Sequence, residues 1–128
     1  MSLFDSSAII NLCGEGEIDK LFGGFTLNLA FYELGNAVWK HVYIYKTITM
    51  DEAIMILDSL IEVFRRLNRL KAEDALEILK IAVKEGLTYY DASYIHTAIK
   101  NNLTLVTDDQ QLYDISKKYV KTVTSKEI

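Results

Sequence analysis

Apolar positions along the chain fall into short runs that end at a charged or hydroxyl residue and are followed by stretches of helical period. Leu3-Phe4 is such a run, ending at Asp5, and Ser6-Ser7 are expected to supply capping hydroxyls for a helix from about Ala8 to Cys13. Glu17 to Phe22 reads as a short helix closed by Gly23-Gly24, and Phe25-Thr26-Leu27 as a second strand. A strongly apolar helical stretch follows, from about Ala30 to Tyr45.

Thr49-Met50-Asp51-Glu52 has the form of a capping box, which predicts a long helix from there toward Leu67. Ala72 to Lys84 is a further amphipathic helix ended by Gly86, and Thr88 is a fitting N-cap for a helix from Tyr89 to Lys100. Leu103 to Val106 is a buried strand by composition. Thr107-Asp108-Asp109 turns the chain into a helix reaching about Tyr119, and Val120 to Thr124 is the last strand candidate. Strands that alternate with helices imply parallel pairing, so the expected class is α/β: a three-layer α/β/α arrangement around a short, mainly parallel sheet.

Length bounds this picture to one domain over residues 1–128, since 128 residues support one core. Half of the residues are apolar and a quarter charged, a globular balance that excludes a disordered chain. No apolar run approaches the ~20 residues of a membrane span. The start of the chain lacks the basic and apolar regions of a secretory signal, so a cytoplasmic location is expected. The single cysteine, Cys13, lies beside an apolar run with no histidine near it and is expected to be a small core residue. The formal charge of −4 argues against a broad basic surface for nucleic acid, although a site built of acids adds negative charge that bound cations neutralise.

The candidate chemistry lies in four acids, Asp5, Glu33, Asp91 and Asp109. Asp5 and Asp109 each follow an apolar strand and begin a helix, the place where open α/β sheets bind ligands, and an ordinary N-cap is the structural alternative for each. Glu33 lies on a helix that is apolar nearly all round. Its polar positions, Glu33, Asn36 and Lys40, form one stripe at spacings of three and four. An acid so placed is rare unless it is paired or holds a metal, and a contact with Lys40 two turns on is the structural alternative. Asp91 shares the inward face of its helix with Ile95 and Ala98. Brought together, the four would repel one another unless cations neutralise them. Mg²⁺ or Mn²⁺ suits oxygen ligands, whereas two scattered histidines and one cysteine offer no zinc set. Such a site hydrolyses phosphodiesters by activating water and stabilising an in-line transition state. Ser6, Asn36 and Thr107 are expected to orient water or phosphate.

These residues resemble PIN domains, particularly VapC-like toxin ribonucleases of prokaryotic toxin-antitoxin pairs. The resemblance spans nearly the whole chain. It rests on Phe4-Asp5-Ser6-Ser7-Ala8, on Tyr32-Glu33-Leu34-Gly35-Asn36, on Gly86 to Tyr94 around Asp91, and on Leu105-Val-Thr-Asp-Asp109-Gln-Gln-Leu112. It implies a Mg²⁺- or Mn²⁺-dependent endoribonuclease for single-stranded RNA, often a homodimer, held inactive by a cognate antitoxin. In the family's Thr-x-Asp motif the metal-site acid is the second residue after threonine, which selects Asp109 and leaves Asp108 a supporting place behind it. Gln110-Gln111 stands where the family often has a basic residue.

Other features have plainer readings. Arg65, Arg66, Arg69 and Lys71 are cations at the end of a long helix, where its dipole favours them without any ligand. Tyr43, Tyr45, Tyr89, Tyr90 and Tyr94 serve equally as half-buried packing residues or as platforms for unpaired bases. Trp39 is read as core or dimer interface. His96 is placed to touch substrate, and His41 and His96 lack a triad partner. Ile54, Leu57, Ile61 and Phe64 exceed what one core covers and suggest a partner helix or dimer mate. Two other functions compete with the nuclease. A receiver-like phosphoacceptor would need an acid pair after the first strand, but the pair lies late, at Asp108-Asp109. A PIN-type binding or assembly module would be marked by loss of acids, and all four are kept.

Overall fold

A computed structural model describes residues 1–128. Five parallel strands form one sheet in the order β3-β2-β1-β4-β5: β1 Ser2–Phe4, β2 Phe25–Leu27, β3 Asn68–Leu70, β4 Thr104–Val106 and β5 Thr122–Val123. Six α-helices connect them: α1 Ser6–Gly14, α2 Ala30–Trp39, α3 Met50–Arg66, α4 Ala75–Glu85, α5 Tyr89–Asn101 and α6 Gln110–Ser116. A 3₁₀ turn, Ile18–Leu21, precedes β2, and another, Ser125–Glu127, ends the chain.

The alternation of side chains along a strand sorts the two central strands between two cores. Phe4 and Val106 point to one face and pack with Ala8, Leu12, Leu34, Leu60 and Phe64 of α1, α2 and α3. Leu3 and Leu105 point to the other, against Tyr94, Ile95 and Ala98 of α5 and Leu112 of α6. The sheet is thus covered on both faces, the three-layer arrangement expected from the alternation of elements. Gly24 sits where the chain enters β2, and a Cβ there would run into the Phe4 ring.

Several local expectations hold. Thr49 and Glu52 form the capping box, with bonds of 3.1 and 2.9 Å, and Thr88 Oγ1 accepts from Asp91 N at 3.1 Å. Gly86 closes α4 in the left-handed conformation, φ 68°. The basic group ends α3 as its dipole requires. Arg69 donates to the Phe64 and Arg65 carbonyls at 3.5 and 3.4 Å, and its guanidinium lies 5.3 Å from the Phe64 ring centroid.

Others are corrected. The cap of α1 is Asp5 rather than Ser6-Ser7: its Oδ1 accepts from Ala8 N at 2.9 Å, and both serines already lie in the helix. Asn68–Leu70 forms an edge strand that the polar sequence concealed, and α4 starts at Ala75 rather than Ala72. α2 stops at Trp39 and passes into a π-helical turn, Lys40–Ile44, instead of running as one helix to Tyr45. α6 ends at Ser116 rather than near Tyr119, and β5 keeps two residues of the stretch from Val120 to Thr124. Phe64 and Tyr94 are buried, Ile54 is exposed, and Cys13 packs against the core from a half-buried position where burial pushes its thiol up. No helix is long and apolar enough to cross a membrane.

Candidate active site

From β1 the chain winds toward β2 and β3, whereas β4 and β5 lie on the other side of β1. The carboxyl ends of β1 and β4 therefore flank the switch point, where the connections to β2 and to β5 leave in opposite directions and open a crevice. Asp5 follows β1 directly, and its amide donates to Val106 O of β4 at 3.1 Å. Thr107, Asp108 and Asp109 follow β4. Parallel register, Phe4 against Val106, brings the two segments side by side.

Asp5 is 4% exposed and almost saturated with hydrogen bonds. Ser7 Oγ donates to its Oδ1 at 2.7 Å, Ala8 N to the same atom at 2.9 Å, and Thr107 Oγ1 to Oδ2. Burial nevertheless dominates and pushes its carboxyl up to about 6, with the neighbouring Asp91 charge adding to the rise. Glu33 enters from the first turn of α2, half-buried, with Tyr94 Oη donating to its Oε1 at 2.7 Å. Burial, reinforced by the charges of Asp5 and Asp91, pushes it up to about 7 against the Tyr94 hydrogen bond. Asp91, in the first turn of α5, is also raised, by burial and then by Asp109. Asp109 is exposed at the rim, capping α6 through Oδ1 to Leu112 N at 2.9 Å. Repulsion thus runs from Glu33 through Asp5 and Asp91 to Asp109, so the four carboxylates share one crevice. No ion pair joins Glu33 to Lys40.

The supporting residues divide. Thr107 Oγ1 donates to Asp5 and accepts from Asp109 N at 3.1 Å, linking two of the acids. Ser6 and Asn36 line a cleft of about 890 Å³ beside Glu33. Asp108 turns away: Oδ2 accepts from Asn11 Nδ2 at 2.7 Å and Ser125 Oγ at 2.6 Å, and Oδ1 from Ser125 N at 2.8 Å. Two participants lie outside the expected set. Ser7, rather than Ser6, holds Asp5, and it also accepts from Asp108 N at 2.9 Å. Tyr94, fully buried, reaches Glu33 from one helical turn past Asp91. The signal for it was that i, i+3 spacing from an acid on an otherwise small or aliphatic face. His96 does not reach the crevice and instead has Nε2 3.8 Å from Asp74 Oδ2.

An all-carboxylate set with mutual repulsion suits a hard divalent cation on donor chemistry. No three acidic, histidine or cysteine side chains close around a single point. Mg²⁺ asks for less, since it keeps several waters and binds through one or two carboxylates plus substrate phosphate.

The family model for the PIN domain matches residues 3–118. The chain is 37% identical over 86 residues to Exonuclease VapC9 of Pyrobaculum aerophilum, covering 67% of this chain and 62% of that protein. It is 41% identical over 91 residues to Ribonuclease VapC3 of the same organism, covering 68% and 66%. The match therefore spans a little under two thirds of each curated relative's length. Among solved structures, PAE2754 from Pyrobaculum aerophilum superposes with a TM-score of 0.84 at 29% identity, covering 98% of this chain and 90% of that one. FitAcB from Neisseria gonorrhoeae shares the fold at 15% identity, with a TM-score of 0.66 over all of both chains.

Proposed function

This chain belongs to the PIN domain family, and from that premise we propose that it is a Mg²⁺- or Mn²⁺-dependent endoribonuclease acting on single-stranded RNA. The observation that carries this reading is the convergence of Asp5, Glu33, Asp91 and Asp109 on the crevice between β1 and β4, with charge repulsion linking them. The names of the relatives, one an exonuclease and one a ribonuclease, support phosphodiester hydrolysis.

In this reading Asp5, Asp91 and Asp109 would hold the divalent ion, with Glu33 at the cleft side. When bound, it would supply Lewis acidity to the scissile phosphate and the positive charge that lets the carboxylates ionise together. Asp5 is fixed in orientation by Ser7, Ala8 N and Thr107, so it needs no rearrangement to bind. Glu33 has one oxygen engaged by Tyr94, which leaves Oε2 to accept a proton from the attacking water. A carboxyl pushed up to about 7 is matched to that task near neutral pH. Asn36 and Ser6 line the same cleft and orient phosphate oxygens.

We assign the protein the role of toxin in a toxin-antitoxin pair, with a cognate antitoxin as partner and a homodimer as its assembled form. The VapC names of the relatives support the role. An apolar groove of about 200 Å³ between α2 and α3, lined by Val38, Trp39, Val42, Met50 and Ile54, supports a helical partner.

The test is incubation of the purified chain, freed of any partner, with labelled linear and circular single-stranded RNA and Mg²⁺ or Mn²⁺. EDTA and Asp91→Asn serve as controls. Metal-dependent cleavage of both substrates, abolished in both controls, is the expected result. Cleavage of the linear RNA alone would make the enzyme an exonuclease, and none at all would leave a binding module.

A further inference from the structure

Glu33, Asn36 and Lys40 descend one stripe of α2 and its continuation, and all three face the cleft of about 890 Å³. An α-helix carried on from Lys40 would next present Ile44 to that stripe. Instead, Lys40–Ile44 is a π-helical turn in which Tyr45 N donates to Lys40 O at 2.8 Å. The turn accommodates one extra residue between Lys40 and Tyr45, and Tyr45 lines the cleft beside His41. Single π turns are found frequently at functional sites. The turn is also braced: His41 Nδ1 lies 2.8 Å from Thr47 Oγ1, and the His41 ring meets Tyr45 edge-on, 5.3 Å between centroids at 71°.

Two further tyrosines complete the walls. Tyr32 precedes Glu33, and Tyr90 precedes Asp91. Tyr32, Tyr45 and Tyr90 are 72%, 57% and 60% exposed, so none of the three is spent on the core. A lysine and a histidine stand among them, in a chain of net charge −4. Open aromatic faces with a cation, beside a carboxylate site, are the elements by which single strands are held: rings for the bases and a positive charge for the backbone. The cleft's volume falls in the ~300–1,000 Å³ range of sites for ligands of small-molecule size.

We propose that this cleft is a stacking subsite for an unpaired nucleobase of a single-stranded nucleic acid, Tyr45 and Tyr90 offering their rings and Lys40 taking the adjoining phosphate. The inference rests on the nuclease reading only for which phosphate lies beside Glu33; the binding itself does not require cleavage. Duplexes are excluded, because their bases present no free face to a tyrosine.

The experiment is fluorescence anisotropy of a 5′-fluorescein single-stranded RNA of mixed sequence, and of the same RNA annealed to its complement. The full chain is used in EDTA, so that no cleavage occurs. Tyr45→Ala and Tyr90→Ala are each expected to weaken single-strand binding about tenfold. Tyr45→Phe should retain wild-type affinity, since stacking needs the ring and not the hydroxyl. Lys40→Ala should lower the salt dependence by about one phosphate contact. Circular dichroism checks that the variants fold. Failure of the RNA to bind, equal binding of duplex, or affinity unmoved by the tyrosine substitutions overturns the proposal, the last two leaving the cleft as a surface for a protein partner. Tyrosine-dependent binding without any metal-dependent cleavage would keep the subsite and overturn the nuclease reading instead.

Discussion

The Tyr94 hydroxyl donates to Glu33 Oε1 at 2.7 Å, joining the fully buried centre of α5 to the one acid that enters from α2. The bond favours the ionised carboxylate and opposes the burial that raises it. In Tyr94→Phe the ring still fills its place, but Glu33 holds its proton to higher pH than its present value of about 7. Carboxyl carbon NMR of Glu33 should show that upward displacement, and the acid limb of any metal-dependent activity should move with it. An unchanged Glu33 titration would remove Tyr94 from the site.

Burial of the acids sets a pH dependence of stability in metal-free protein. Asp5 is raised from 3.8 to about 6 and Glu33 from 4.5 to about 7, so both bind their proton more tightly folded than unfolded. Between these values the folded chain retains protons that the unfolded chain has released, and stability must fall as pH rises. The loss is complete only well above 7, where Glu33 too is ionised in both states. For Asp5 it is on the order of 3 kcal/mol, at about 1.4 kcal/mol per unit. Glu33, less buried, adds less. Urea unfolding in EDTA across this range should show the decline, and Asp5→Asn should flatten it. Stability that rises with pH through this window would contradict the assignment.

Thr107 is the one hydroxyl shared by two of the acids. Thr107→Val preserves shape but strips a donor from buried Asp5, which typically costs about 1–3 kcal/mol. Chemical denaturation measures that loss. It should be partly recovered in Thr107→Val/Asp5→Asn, where no buried charge remains to be satisfied.

Asp108 and Asp109 are adjacent and differ in what they touch. Asp108 ties Asn11 and Ser125 together, whereas Asp109 faces the crevice rim. Asp108→Ala should therefore lower stability by about 1–3 kcal/mol and leave Mn²⁺ affinity nearly unchanged. Asp109→Asn should do the reverse, keeping its N-cap while weakening the ion. Calorimetric unfolding beside a metal titration separates the two, and a matching response of both variants would contradict the division.

What the sequence displayed depended on how far each feature departs from a soluble helix or strand. The two central strands were legible because Leu3-Phe4 and Leu105-Val106 must be apolar on both faces. β3 was not, because an edge strand at the sheet's margin tolerates Asn68 and Arg69, which read equally well as the end of α3. The four acids stood out where charge met an apolar face. Tyr94 did not, since a buried tyrosine looks like packing until its hydroxyl finds Glu33. The π turn at Lys40–Ile44 is a one-residue change of phase in a continuous helical pattern, and hydrophobic period cannot register it.

In the proposed site Asp5, Asp91 and Asp109 would hold one divalent ion, with Glu33 beside it. Electron paramagnetic resonance of free Mn²⁺, titrated with the metal-free chain at pH above 7, reads ion binding with no substrate present. Asp5→Asn and Asp91→Asn should each weaken binding at least about tenfold, the scale expected for a lost carboxylate ligand. Glu33→Gln and Asp109→Asn should weaken it less, and Asp108→Asn should leave it unchanged. Binding that survives in Asp5→Asn and Asp91→Asn at wild-type strength would place the ion elsewhere and leave these carboxylates without that role.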